Sequence, residues 1–576
     1  MARATVARLA TYLSLGLVVL AGLALRLWNN DYGLPYVYNV DERSHFASYA
    51  VEMVAQGGLD PGYYQNPSGF TYLVYAALRI AFDDASLARS FAADPTAVFD
   101  LSRDLAALLG VAGVIATFVL GRRLWDARVG LVAAAILAFA FLPVAYSRLA
   151  LTDVGTLAPV SVAVLGSVLA LERGRARDFA LAGAGAGLAI GFKYTAGLVL
   201  LPLLIAGAVR LARGRDRRTL GALAVGLVAT LSAFFVTTPF LFLDPGVAQG
   251  QLAAQAEAAG SPKLGQGGAS AVGYYLASLT WGLGWVLAAA ALAGALALVL
   301  ARGGRARAAV LLAFPLALFV YLSTQERFFG RWLLPIYPVL ALLAAVALRG
   351  AAARAAGLLS SGRPWMVGPA VLIALCAVAL AQPLAADWRS ARLLGRSDTR
   401  TLAREWLEPR HPPQLRVVVE PEVPPRYYRA GDGGARPFMR HFEREARVRR
   451  QHYSDTLSPA TIDRYRASGY CTVMTLSYVR GRVEKDSDPG AIDYYRRLER
   501  EARLVHRESP QRPGSKPLAF HFDLSYNGYP AAVVRPGPEV RILRLDRCRQ
   551  SYGRLSGAER AAISGAARAG LGPREG

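Results

Sequence analysis

The chain is 576 residues long, 54% hydrophobic and only 18% charged, with a net charge of +24 at neutral pH. Its apolar residues gather between Leu9 and Gln382 in runs close to the ~20 residues that cross ~30 Å of hydrocarbon, which excludes a wholly water-soluble protein. The basic excess is the ordinary signature of short cytoplasmic loops rich in Arg and Lys, so no nucleic-acid partner is expected.

Arg3 and Arg8 precede the first predicted span, Leu9 to Leu27, which reads as an uncleaved anchor with a cytoplasmic N-terminus. An outer loop, 28–103, follows. Within it Ala47 to Ala55 is an amphipathic stretch suited to the membrane surface, and Phe70 to Phe82 is too short to cross and is predicted to lie in the interface. The span Leu105 to Leu120 ends in the basic cluster 121–128, which places that turn in the cytoplasm. Spans Leu131 to Tyr146 and Val154 to Leu171 return the chain to the basic turn 172–177, and Phe179 to Phe192 and Thr195 to Leu211 return it to 213–218. Further pairs end at Arg302 to Arg307 and at Arg349 to Arg363, and an eleventh span near Pro369 to Gln382 delivers the remainder outside. Basic clusters at every second turn fit this count.

The predicted architecture is an α-helical polytopic membrane protein: a transmembrane domain, 1–382, of about eleven helices; an extracytoplasmic soluble α/β domain, 383–550, with short β-type runs such as Leu415 to Val419; and a flexible tail, 551–576. Three cysteines are too few for a disulfide framework. Cys376 lies in an apolar run, while Cys471 and Cys548 are either bonded, if the soluble domain faces an oxidising compartment, or two separate thiols. The domain's basic excess reads either as a solvated surface or as attraction to anionic headgroups.

Polar chemistry collects on the outer side. Asn39-Val40-Asp41-Glu42-Arg43-Ser44-His45-Phe46 leads into the stretch Ala47 to Ala55, and at such a helix start a carboxylate could simply cap the helix for about 0.3 to 1 kcal/mol. Neighbouring helical residues point about 100° apart, so one acid can serve structure while the other faces a cavity. Arg148 and Asp153 lie at the outer end of two spans, either as functional charges or as an ion pair sealing the turn. Lys193-Tyr194 places a lysine in an apolar hairpin of a chain with only four lysines among 65 basic residues; it suits a phosphate, of any lipid or of one specific ligand. Arg327 and Arg331 are flanked by aromatic residues, and their guanidinium forks suit phosphate recognition.

In this order, the acidic pair after the first span, Ser147-Arg148 with Asp153 after the third and Lys193-Tyr194 after the fifth, the chain resembles the polyprenyl-phosphate-sugar-dependent glycosyltransferases of the GT-C fold. These include protein O-mannosyltransferases and the aminoarabinose transferase of lipid A. The resemblance covers most of Leu25 to Tyr337 and includes Asn66-Pro67-Ser68-Gly69-Phe70, Gly121-Arg122-Arg123-Leu124 and Thr238-Pro239-Phe240-Leu241. It implies Asp41 as general base with Glu42 beside it, and Asp153 as the second acid, orienting substrate or a metal. Lys193, with Arg327 or Arg331, would stabilise the leaving lipid phosphate, and Arg148 and Tyr194 fall among the substrate-binding residues. A divalent metal on Asp41, Asp153 and His45 is a further option. Asn66-Pro67-Ser68 departs from the Lys, His or Pro usual beside that proline.

The expected function is therefore transfer of a sugar from a polyprenyl-phosphate donor to a protein, lipid or glycan hydroxyl outside a bacterial plasma membrane, with inversion. A transporter or flippase, or an inactive relative acting as a scaffold, is the rival reading. Against the transporter stand the absence of a repeat between the halves and the position of the charges at the outer edge.

Overall fold

A backbone inside hydrocarbon must satisfy its own N–H and C=O groups, so the apolar runs form helices. The computed structural model describes residues 2–214, 217–301, 303–359, 364–410, 417–420, 423–424, 427, 438–440, 457–516, 518, 520–521 and 529–549; the expected tail, 551–576, lies outside them. Helix α1 (Ala2–Leu27) leads into four short helices, α2 (Val40–Ser44), α3 (Ala47–Gln56), α4 (Gly69–Ala81) and α5 (Asp84–Ala93), and then into α6 (Thr96–Leu124). The hairpins continue through α7 (Ala127–Phe139), α8 (Phe141–Tyr146), α9 (Leu157–Arg173), α10 (Ala176–Phe192), α11 (Leu200–Gly214) and α12 (Arg217–Thr237). A long connection holds α13 (Phe240–Leu243) and α14 (Pro245–Ala259). It is followed by α15 (Ala271–Leu279), α16 (Trp285–Leu300), α17 (Arg305–Ser323), α18 (Tyr337–Leu359) and α19 (Pro364–Leu394).

Among the described residues nine helical segments are long and apolar enough to cross a membrane. Helix α10, at 17 residues, and α7 continued by α8 occupy the other two places of the eleven expected. Helix α4 has 13 residues, as expected of a helix that does not cross. Helix α3 differs from its surface assignment: it buries Ala47, Ala50, Val51 and Val54 in the core of the membrane domain.

Small residues set the packing around α10. A methyl group at Gly183 would overlap the Gly226 carbonyl of α12, and one at Gly155 would overlap the Phe192 ring. Close backbone approach of this kind is how helices pack when lipid offers no hydrophobic driving force between them. It brings the end of α10, with Lys193, against the turn carrying Asp153.

Helix α19 runs unbroken to Leu394, past Pro383, where the soluble domain was expected to begin. After it come α20 (Thr399–Leu407), α21 (Pro459–Ala467), α22 (Ser477–Asp486) and α23 (Pro489–Glu501). They pack with a five-stranded sheet of β1 (Val417–Val419), β2 (Phe438–Arg440), β3 (Thr472–Leu476), β4 (Ala502–Glu508) and β5 (Val540–Leu545), in the order β2-β1-β3-β5-β4. β1 is parallel to β2 and β3, while β5 is antiparallel to β3 and β4. A disulfide joins Cys471, ahead of β3, to Cys548, after β5.

The end of the sheet where β3 finishes meets the membrane domain. Tyr38 hydroxyl lies 2.7 Å from Thr401 Oγ1, and the Arg400 guanidinium stacks 3.8 Å from the centre of the Tyr38 ring. Asp486 accepts from the backbone N–H groups of Gly265 (2.6 Å) and Gly267 (3.0 Å), tying the soluble domain to the connection after α12.

Candidate active site

The five-residue helix α2 is capped by neither acid: the Asn39 side chain accepts from the Glu42 N–H at 3.0 Å. That releases both carboxylates, and the turn of the helix sends them different ways. Glu42 is fully buried. It accepts from Arg103 Nε (2.7 Å), Arg103 Nη2 (2.9 Å) and the Ala150 N–H (2.9 Å), so it fastens the first loop to α6 and to the turn after α8.

Asp41, 32% exposed, faces the other way and pairs with Arg331, Nη2 to Oδ2 at 2.6 Å. The Arg331 Nε is 3.9 Å from Asp153 Oδ2, and the second Asp153 oxygen is ion-paired with Lys193. Residues from four separate segments thus form one row: Asp41, Arg331, Asp153, Lys193. Arg331 enters from the 3-10 turn Gly330–Ile336 and rests on the Phe329 ring at 4.9 Å, which Lys263 also approaches at 5.4 Å.

Burial pushes the Asp41 carboxyl up, but Arg331, with Lys263 and His45, more than offsets this and holds it well below the usual carboxylate range. Burial lowers His45, with Asp41 opposing. Lys193 is lowered by burial and partly restored by Asp153.

Other expected site residues are placed elsewhere. Arg148 neither pairs with Asp153 nor faces the row. It is buried and donates to the Leu25 carbonyl from Nε (3.0 Å) and Nη2 (2.5 Å), and to Ser390 Oγ at 3.4 Å. Tyr194 hydroxyl donates to the Tyr64 carbonyl at 2.9 Å, holding the first loop down. Arg327 donates from Nε to the Ser261 carbonyl at 3.3 Å while remaining in the electrostatic field of Asp41.

The metal option does not fit. Among the described residues no group of three His, Cys, Asp or Glu side chains could share one ion. Asp41 and Asp153 both face Arg331, and His45, at the end of α2, stacks on Tyr63 with ring centroids 5.1 Å apart.

Sequence reasoning missed Arg103 and Lys263. Arg103 stands at the boundary of the first loop with an apolar helix, where a charge asks for a partner. Lys263 carried the same signal as Lys193, scarcity of lysine.

Residues 102–242 match the profile of the dolichyl-phosphate-mannose-protein mannosyltransferase family. No curated protein matches by sequence. Among solved structures the chain is similar to ArnT from Cupriavidus metallidurans bound to undecaprenyl phosphate, at 15% identity and TM-score 0.51, covering 93% of this chain and 99% of that one. The apo state of the same protein gives 15% identity and TM-score 0.52, with 92% and 98% covered. The apo oligosaccharyltransferase of Archaeoglobus fulgidus gives 14% identity and TM-score 0.50, with 87% and 73% covered. The chain has the GT-C glycosyltransferase fold. Within this GT-C fold the profile match contains Asp153 and Lys193, while Asp41 and Arg331 lie outside it, so the row is assembled from both sides of the matched segment.

Proposed function

We propose that the chain is an integral-membrane glycosyltransferase that moves a sugar from a polyprenyl-phosphate donor to a protein, lipid or glycan hydroxyl on the outer face of the plasma membrane. The observation that carries the reading is the row Asp41–Arg331–Asp153–Lys193 in a GT-C fold. A lipid-phosphate donor is supported by the solved structure of ArnT with undecaprenyl phosphate.

In this reading the acceptor oxygen attacks the anomeric carbon and its proton passes to Asp41. The bond from that carbon to the phosphate oxygen breaks, its electron pair leaves with the phosphate, and Lys193 and Arg331 stabilise the charge that develops there. A single displacement inverts the anomeric centre. Asp153 holds the two cations in place. The odd number of spans puts the soluble domain outside when the N-terminus is cytoplasmic, and the Cys471–Cys548 bond suits an oxidising compartment.

The test is Asp41→Asn in purified protein given labelled lipid-linked sugars. Release of sugar from the carrier is expected to vanish while binding of polyprenyl phosphate survives. Unchanged turnover removes Asp41 as the base.

A further inference from the structure

At the end of the sheet away from the membrane domain, four arginines gather without counter-ions among the described residues. Arg503 and Arg544 are directly opposite each other in the antiparallel β4–β5 ladder, and Arg547 and Arg549 flank Cys548 in the turn after β5. All four are exposed, and among the described residues none of their side chains has an ion pair or hydrogen bond. With Leu545, Asp546 and Cys548 they line an open concavity of about 620 Å³.

Several other arginines of the domain are matched by acids. Arg497 is matched by Asp463 (2.6 Å) and Glu501 (2.8 Å), Arg466 by Glu501 (2.6 Å), and Arg507 and Arg541 by Glu539 (2.5 and 2.6 Å). Like charges directly opposite on neighbouring strands are destabilising, yet the sheet keeps Arg503 against Arg544. The turn beyond is held by the Cys471–Cys548 bond, and Arg547 adopts a left-handed backbone, φ 51°, which few side chains take up without support. The result is a set of guanidinium forks on a backbone held by the sheet and the disulfide, unpaired among the described residues and suited to several oxyanions at once.

Position decides between the sources of such anions. Contacts with the membrane domain and with the end of α19 involve the opposite end of the sheet. The Thr399 N–H donates to the Pro536 carbonyl at 3.0 Å, and Asp486 holds Gly265 and Gly267. The six residues of β5 separate the two ends by about 20 Å. The concavity therefore faces away from the lipid headgroups around the spans.

We propose that this concavity binds an anionic glycan chain that carries repeated phosphate or carboxylate groups. That the polymer is a glycan rests on the transferase reading; binding of the polyanion does not. The forks engage two or more of its anionic groups together, and the binding weakens as salt screens them.

The test uses the full chain in nanodiscs of zwitterionic lipid, with fluorescent poly(glycerol phosphate) and polygalacturonate as probes. The variant with Arg503→Gln, Arg544→Gln, Arg547→Gln and Arg549→Gln is expected to bind at least one probe tenfold or more weakly than wild type. A charge-matched control with Arg89→Gln, Arg410→Gln, Arg496→Gln and Arg512→Gln is expected to stay within twofold of wild type. Arg503→Gln alone removes the cross-strand repulsion and should leave the unfolding temperature unchanged or raised. No binding of either probe by wild type, or equal loss in the control, overturns the proposal. So does loss of binding to phosphatidylglycerol vesicles with polymer binding intact, which would assign the patch to a lipid surface. A lowered unfolding temperature in Arg503→Gln and in Arg544→Gln would assign it to structure.

Discussion

Glu42→Gln separates the two adjacent acids of the first loop. The substitution keeps the size of the side chain and leaves one carbonyl oxygen able to accept from the Ala150 N–H. It turns an amide donor toward Arg103 Nη2 and strips that buried guanidinium, 1% exposed, of its counter-charge. Removing one partner of a buried pair typically destabilises by about 3 to 5 kcal/mol, a large share of the roughly 5 to 15 kcal/mol that holds most domains together. The assay is unfolding of the detergent-solubilised protein in increasing denaturant, followed by tryptophan fluorescence, with sugar transfer measured on the fraction that remains folded. Stability is expected to fall by that amount while the folded fraction keeps most of its turnover. Arg103→Gln should be comparably unstable, and the double variant should be less damaged than the sum of the two, because neither buried charge is then stranded. If Glu42→Gln unfolds like wild type yet transfers no sugar, Glu42 belongs to the chemistry and its assignment to the scaffold is wrong.

Three further outcomes follow from the same geometry. Lys193→Gln is expected to lower kcat by about 10²- to 10³-fold, the usual effect of losing one donor to a developing oxyanion, measured in single-turnover transfer. Because Arg331 depresses Asp41, the acid limb of kcat/KM should lie below the usual carboxylate range, and Arg331→Gln, which leaves burial without its main opponent, should move it upward in a pH–rate profile. In the soluble domain, burial pushes Glu420 up to about 8, only partly opposed by the Leu476 N–H and the Tyr495 hydroxyl. The folded state then holds a proton that the unfolded chain releases near 4.5. Stability from this group is full below that value and is lost as pH rises toward 8, by at most about 1.4 kcal/mol per unit. Glu420→Gln should flatten that slope in thermal unfolding at pH 5.5 and 8.

Length and charge made the spans legible, because hydrocarbon thickness and loop basicity act locally along the chain. The short α4 was readable for the same reason. The site was readable in part: Asp41, Asp153, Lys193 and Arg331 stand out as charges at the ends of apolar runs, but nothing local says which pairs with which. Arg148 and Asp153, five residues apart, looked like partners, yet the arginine turns back to Leu25 and Ser390 while the acid turns to Lys193, a choice made by packing between distant helices. Arg26 was hidden altogether. It is buried against the Ser147 hydroxyl and the carbonyls of Leu137 and Ala138, and such an arginine at the end of a first span reads as an ordinary boundary charge until the helices around it are assembled. The capping role open to Asp41 or Glu42 is taken by Asn39, one residue before the helix, a difference of register that composition cannot resolve.

That register matters for the chemistry. A carboxylate that caps a helix is committed to backbone N–H groups and makes a poor proton acceptor. With Asn39 in that position, Asp41 pairs with a side-chain cation, Arg331. As two acids and two bases, the row Asp41–Arg331–Asp153–Lys193 is neutral as a set, which is what a poorly solvated site tolerates before a ligand arrives. In the proposed reaction, a donor phosphate would bring extra negative charge and compete with Asp41 for Arg331. As the arginine is drawn toward phosphate, Asp41 loses the partner that keeps its basicity low. On the proposed reading, Asp41 is therefore strengthened as the base by the arrival of the donor, and in the empty site the same ion pair keeps it weak.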